Sequence, residues 1–501
     1  MTAPAVTADV EVARILAPKP TYRLLVPLNR LKNATYFSML GALLLSPFYE
    51  SVSLWMAPML ALFFLVIWHT EMTRRRMLVL PGVIAIAAIV QLIIAPWLAY
   101  ALPVEAAVLP MPVEPDVFFS YVAPAVFLMI AALYAPLWRM PLPPVSQPIP
   151  LSRAMRFASE TMVFLGVPLR LASISGMPNG IRFLVLLIGN LAYVGAFTLA
   201  IARAPGWRWR MILVLVMEVV VQSVGAQFLE VIWWAGLAIS VAIYSGKVRS
   251  WVIVAGGLAG MFSILALNGM KQGYRQVLRT ETISTSDRPS MVAGGMATTL
   301  MRPDLVLSTQ NIGLNISRFN EGWIIGHVMD WVPNVEPHAG GETFAAAARA
   351  AIFPRFLDAD KAVAGGFEYF TRFSGLDLIN GTSMNFGMVG EMYINYGRPI
   401  GLIGISIFGW CVGLILRGFV RLSRRTPLWW AWAPYVLVPV VSPELSSTEI
   451  FNHVTKAFIV AAAVAAMIPA WRRLWYVRPP RATGDAVVVD KAGFRSLRLP
   501  R

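Results

Sequence analysis

Charge is scarce in this 501-residue chain. Only 14% of its residues are Asp, Glu, Lys or Arg, where a soluble domain carries about 25%. That shortfall excludes an ordinary soluble enzyme and a disordered chain. Cysteine is nearly absent. Cys411 alone permits no intrachain disulfide and no cysteine metal cluster, and its apolar surroundings read as those of a small buried hydrophobe. The four histidines, His69, His327, His338 and His453, show no HExxH or similar spacing, so a histidine-rich metal site is not expected. No internal repeat of obvious period is present, which weighs against transporters built from two similar halves. Residues 1–32 lack an apolar core followed by a small-residue cleavage site, so no cleavable signal peptide is expected.

What the chain has in quantity is apolar sequence: 57% of its residues are hydrophobic, and the mean hydropathy is +0.64. Runs of about 20 apolar residues are candidate membrane spans. They fall near 34–50, 51–68, 78–102, 118–138, 183–203, 211–226, 228–246, 251–270, 399–418, 428–447 and 454–471. A poorer twelfth, 157–177, contains Glu160 and Arg170. The net charge is +16. In a soluble protein that would suggest nucleic acid, but here the basic residues mark loops on one side of a bilayer. Arg14, Lys19, Arg23, Arg30 and Lys32 precede the first span, and Arg74, Arg75 and Arg76 follow the second. Arg421, Arg424 and Arg425 follow the span ending near 418, and the tail 472–501 holds 8 Lys/Arg against 2 Asp/Glu. Segment 271–397 holds 10 Lys/Arg against 12 Asp/Glu, and the loop 103–117 has no basic residue.

These charges place both termini in the cytoplasm, which requires an even number of spans and so recruits 157–177. The expected protein is all-α and polytopic, with about 12 transmembrane helices. It divides into a cytoplasmic segment 1–32, nine spans over 33–270, an external loop 271–397, three spans over 398–471 and a basic cytoplasmic tail 472–501.

A loop of that size is usually functional or carries its own structure. Residues 276–300 are polar and Ser/Thr-rich and are expected to be mobile. Ile316, Phe319, Trp323, His327 and Trp331 recur at helical spacing, so 304–331 is expected to be one amphipathic helix ending before Pro333. A Gly/Pro-rich turn, NVEPHAGG, precedes a helix in TFAAAARAAIF that Pro354 stops. A last helix, about 383–396, leads into the span beginning near Pro399.

Three features of this layout could carry chemistry. Gly387, Glu391 and Asn395 lie four apart on one helix face. A carboxylate at the membrane boundary can take a proton from a hydroxyl, although an ordinary solvated helix-end acid fits the spacing too. Arg318, Arg349, Arg355, Lys361 and Arg372 supply cations, and arginine binds phosphate oxygens bidentately. For each taken alone, a solvated or salt-bridged surface cation is the plainer reading. Ionisable residues also occur at membrane depth: Arg170, Glu218 beside Gln222, Glu230, and the trio Glu449, His453 and Lys456 at the start of the last span.

The stretches RFNEGWIIGHVMDWVPNVEPHAGGETF, FPRFLDADK and MNFGMVGEMYINYGRPIG, in that order, resemble the bacterial O-antigen polymerases of the Wzy type. The matching elements are Arg318, the turn Pro337 to Gly341, Pro354-Arg355, Lys361, and Gly390 to Gly397 with Glu391, Tyr393 and Asn395. Lys271 to Arg275, KQGYR, resembles the basic start of that family's loop. One departure is that Ala follows Lys361 where proline is expected. The likeness covers about 270–405 at motif level and the rest as span count and topology only.

The resemblance implies a GT-C-like helical fold in the bacterial inner membrane. The implied substrate is an undecaprenyl-diphosphate-linked oligosaccharide at the outer face, with no cofactor and no metal. It implies transfer of the growing glycan onto a new lipid-linked unit. Arg318, Arg355 and Arg170 would face the leaving diphosphate, with Lys271, Arg275, Lys361 and Tyr393 also contacting substrate. Glu391 would be the base, His453 its rival, and Asn395 an orienting group. A flippase and a chain-length regulator of the same pathway are the protein partners it implies, beside the lipid bilayer. An O-antigen ligase shares this architecture. A transferase using a polyprenyl-monophosphate sugar would need an acidic pair in the first external loop, where 48–53 offers only Glu50. A flippase or other transporter would need no large structured loop.

Overall fold

This computed structural model describes residues 55–101, 109–138, 140, 148–174, 177, 179–225, 229–246, 287–353, 358, 367–378 and 384–475, with scattered positions between 251 and 277. The expected span 34–50, most of 251–270, the segment 1–32 and the tail beyond 475 lie outside the described residues. So do Lys271, Arg275, Arg355 and Lys361.

The described residues form helices and no strand. Six of the helices are long and apolar enough to cross a membrane: α1 (Met56–Thr73), α2 (Leu80–Ala101), α3 (Pro115–Leu137), α5 (Ile181–Ala202), α13 (Gly387–Ser423) and α15 (Ser447–Met467). The chain is a helical membrane protein. Between them lie α4 (Arg153–Ala172), α6 (Trp207–Gly225) and α7 (Leu229–Ser245). The region before α13 contributes α8 (Arg288–Leu300), α9 (Thr309–Phe319), α10 (Gly322–Trp331), α11 (Glu342–Ile352) and α12 (Phe367–Ser374). The apolar helix α14 (Pro427–Val441) joins α13 to α15, and α16 (Pro469–Trp475) closes the described chain.

Every residue from Ala192 to Ala202 in α5 is buried, so this helix is a centre of the bundle. The Tyr435 hydroxyl of α14 donates to the Leu187 carbonyl at 3.1 Å and ties the two together. Helices α3 and α13 pack closely because Gly409 and Gly413 leave no side chain between them. A Cβ at Gly413 would sit 2.9 Å from the Pro136 ring, the close approach that small residues one turn apart allow in apolar bundles.

Helix α4 carries Arg153, Arg156, Glu160 and Arg170, a poor composition for a span. Its inner charges are met from α6: Arg210 pairs with Glu160 and Glu218 pairs with Arg170. Phe157, Phe164 and Leu165 face outward instead. Beyond the exposed Arg153 and Arg156 at its start, the outside of this helix is therefore apolar although its sequence is not.

Three expectations need correction. Cys411 is exposed, not buried. It lies on the outer side of α13 among Ile403, Ile407, Trp410 and Leu414, all exposed, since an apolar run facing lipid need not face a core. The single helix expected over 304–331 is broken. Asn320 leaves helical geometry at φ −83°, ψ 79°, and its side-chain oxygen accepts from the Trp323 N–H at 3.1 Å, which caps a new helix. Finally, part of the stretch expected to be mobile, 288–300, is helix α8.

Other boundaries follow ordinary rules. Phe353 and Val332 turn to extended backbone, each before a proline, which disfavours helical geometry at the preceding residue. Helix α13 breaks at Gly397, whose φ of 67° and ψ of −165° only glycine adopts readily.

Candidate active site

The break at Gly397 decides what the first part of α13 can do. It ends that segment at Tyr396 and frees the carbonyls of Ile394 and Asn395. The turn 338–341 takes both: Ala339 N–H donates to Ile394 O and Gly340 N–H to Asn395 O, each at 3.0 Å. The Asn395 side chain completes the clamp. Its Oδ1 accepts from the Gly341 N–H at 3.0 Å, and its Nδ2 donates to Thr343 Oγ1 at 2.8 Å and to Glu391 O at 2.7 Å. The Gly-Gly turn and the Glu-x-Tyr-x-Asn element thus hold each other. Tyr393 is buried between Tyr121, with ring centroids 4.9 Å apart, and His338, at 5.9 Å.

Glu391 is 2% exposed. Oε1 accepts from Thr343 Oγ1 at 2.7 Å and Ser447 Oγ at 2.6 Å, and Oε2 accepts from the Ser447 N–H at 2.7 Å. One carboxylate therefore binds α11, α13 and α15 into a block. Both of its oxygens are engaged by donors of the fold itself, and no face is open to an acceptor hydroxyl in this state. In this geometry the carboxylate expected as base is the tie between the three helices.

The strand of chain that holds Glu391 also leads outward. Phe386 N–H donates to Ser446 Oγ at 3.2 Å, and a Cβ at Gly387 would run into the Pro443 carbonyl. Glu444 stands on this segment. Opposite it, Arg318 of α9 places Nη2 at 3.5 Å from Glu444 Oε2 and Nη1 at 3.7 Å from Glu321 Oε1. The Arg318 side chain is 38% exposed, Glu444 23% and Glu321 9%. Burial pushes the Glu321 carboxyl well above the ordinary carboxylate range and the Glu444 charge pushes it further, against the opposing pull of Arg318.

The remaining expected residues each have partners of their own. Arg170 is buried and forked onto Glu218, with Nε to Oε2 at 3.2 Å and Nη2 to Oε1 at 2.8 Å, and Nη2 also reaches Glu230 at 3.2 Å. Tyr193 and Gln222 donate to the same carboxylates. His453 Nε2 sits 2.9 Å from the Tyr435 carbonyl, so that nitrogen carries a proton and donates to α14. Lys456 is bonded to Asn452 and lies 4.7 Å from the Phe183 ring centre. Arg349 is paired with Asp358 at 2.6 Å, and Arg372 with Glu336 at 2.6 Å and Glu342 at 3.1 Å.

Glu321, Glu444, Thr343 and Ser447 were not singled out by spacing. Glu321 follows Arg318 by three residues, and Glu444 precedes a Ser-Ser helix start, faint signals that nothing in one sequence connects. No family model, no curated protein and no solved structure matches this chain.

Proposed function

We propose that this protein is a membrane glycosyltransferase that joins lipid-diphosphate-linked oligosaccharide units into a longer glycan. The observation that carries the reading is the meeting of Arg318, Glu321 and Glu444 at one partly open point. An arginine held at 3.5–3.7 Å by two acids is not fully engaged and has donors left for a phosphate. The resemblance of the surrounding motifs to the Wzy-type polymerases supports the same class.

In the reaction, a hydroxyl of the acceptor sugar attacks the anomeric carbon of the donor glycan. The bond from that carbon to the diphosphate oxygen breaks, and the diphosphate leaves with the electron pair. Arg318 neutralises the growing negative charge on it. Glu444, the more exposed acid, takes the hydroxyl proton, while burial favours the neutral form of Glu321 beside it. Glu391, Thr343, Ser447 and Asn395 hold α11, α13 and α15 together and so steady the segment before α15 that carries Glu444.

The architecture that goes with this reading is the full one: twelve spans including α4, a GT-C-like arrangement, both termini in the cytoplasm and the site on the outer face of a bacterial inner membrane. The substrate is the undecaprenyl-diphosphate-linked unit, delivered by a flippase, with a chain-length regulator acting beside the enzyme.

Purified protein in liposomes, given a polyprenyl-diphosphate oligosaccharide, should yield a ladder of longer lipid-linked glycans on a gel. The Arg318→Ala variant should leave the single unit unchanged. An equal ladder from that variant, at equal protein, would place the chemistry elsewhere.

A further inference from the structure

Helix α13 has a second end, and its chemistry differs from that of the Glu391 end. Ile400, Ile403, Ile407, Trp410 and Leu414 are all exposed and recur at intervals of three and four, so they form one outward stripe. Fourteen residues rise about 21 Å, enough to line more than one leaflet of hydrocarbon. The same intervals continue through Arg417, Arg421 and Arg424. The apolar stripe therefore ends in three arginines on one side of one helix.

Those arginines do not simply project into solvent. They line a cavity of about 630 Å³ with Pro136, Trp138 and Met140 from the end of α3. Gly413 lets the two helices close just above it. Trp138 is half exposed, as an aromatic at a membrane boundary would be. Arg417 Nε is buried without a hydrogen-bond partner, and no acid pairs with any of the three arginines among the described residues.

We propose that this cavity is a binding site for the phosphate headgroup of an anionic phospholipid whose acyl chains lie along the α13 stripe. Guanidinium forks match phosphate oxygens bidentately, and basic pockets between spans at the membrane surface suit such headgroups. A free anion would satisfy the arginines but leave the adjoining apolar stripe without a part in binding, so the lipid is the better occupant. The site lies at the far end of α13 from Glu391 and does not depend on the reaction proposed above.

The test uses the full chain, reconstituted in phosphatidylcholine vesicles with or without phosphatidylglycerol, extracted, and examined by native mass spectrometry for retained lipid. Phosphatidylglycerol should stay bound to the parent protein. The variant Arg417→Gln/Arg421→Gln/Arg424→Gln should retain at least about tenfold less. A control, Arg75→Gln/Arg472→Gln/Arg473→Gln, removes as much charge away from the cavity and should retain the parental amount. Equal losses in both variants would mean a general surface attraction and overturn the site. A triple Lys variant of the lining arginines keeps the charge and guards against a misfolded Gln variant. It should lose about three- to tenfold, because lysine has no fork, and parental retention in it would contradict a built headgroup site. Inorganic phosphate should displace the lipid only weakly. Displacement by phosphate at equal concentration would show a free-anion site and overturn the lipid assignment.

Discussion

Two arginines in this protein each face two glutamates, and the two arrangements differ in nearly every physical respect. Arg170 is buried, forked onto Glu218 at 2.8 and 3.2 Å, and braced by Glu230, Tyr193 and Gln222. Arg318 is 38% exposed and stands 3.5 and 3.7 Å from its acids. In the first cluster Nε and Nη2 are both engaged by carboxylates at close range. The second is under-engaged and opens outward. Residue type alone treats the two alike. The first ties helices α4, α6 and α7 together, and the second is the one we propose for the chemistry.

Four experiments would break or sharpen that contrast. The largest expected effect is on folding. Arg170→Leu leaves Glu218 buried without its cation, which typically costs about 3–5 kcal/mol. Thermal unfolding should show a sharply less stable protein, and a stable variant with no activity would move Arg170 into the site. Next is Arg318→Ala, with an expected loss of about 10²–10³ in polymerisation rate and little change in unfolding. Lysine should restore only part of the rate, for want of the fork. Third, Ser447→Ala removes one hydroxyl donor from Glu391. It should lower stability by about 1–2 kcal/mol, and the activity that remains should follow the fraction folded.

The smallest effect is the pH dependence of stability. Glu321 has a raised carboxyl pKa in the fold. As pH rises above about 4.5, the unfolded chain loses this proton first. The folded state then binds more protons than the unfolded one, so stability falls with rising pH until the folded carboxyl also ionises. Glu321→Gln should flatten that slope and leave the variant relatively more stable at the alkaline end. An unchanged slope in denaturant unfolding across pH would show that Glu321 does not hold the proton.

Much of the helical layout was legible because hydropathy and length mark apolar helices directly. The turn that pairs with Gly390 to Gly397 was visible as two separate motifs, and only the break at Gly397 shows why they belong together. Asn320 was hidden because an amphipathic pattern continues across it while its side chain caps the next helix. Cys411 was misread because a lipid-facing residue and a core residue share the same composition. The pairing of Arg170 with Glu218 and Glu230 was hidden because 48 and 60 residues separate them and spacing cannot join them. Glu444 escaped altogether: its partners Arg318 and Glu321 come from a distant segment, and proximity of that kind leaves no local periodicity.

The central claim, that the loosely held cluster carries the reaction and the buried one does not, comes down most directly to Glu444→Gln. This side chain is partly open, its pairing with Arg318 is long at 3.5 Å, and Gln keeps its shape, so the variant should fold with little loss of stability. Reconstituted with a polyprenyl-diphosphate oligosaccharide, it should leave the single unit unextended, with a rate about 10²–10⁴ below the parent. A full glycan ladder from folded Glu444→Gln protein would contradict the account and return the proton to another base.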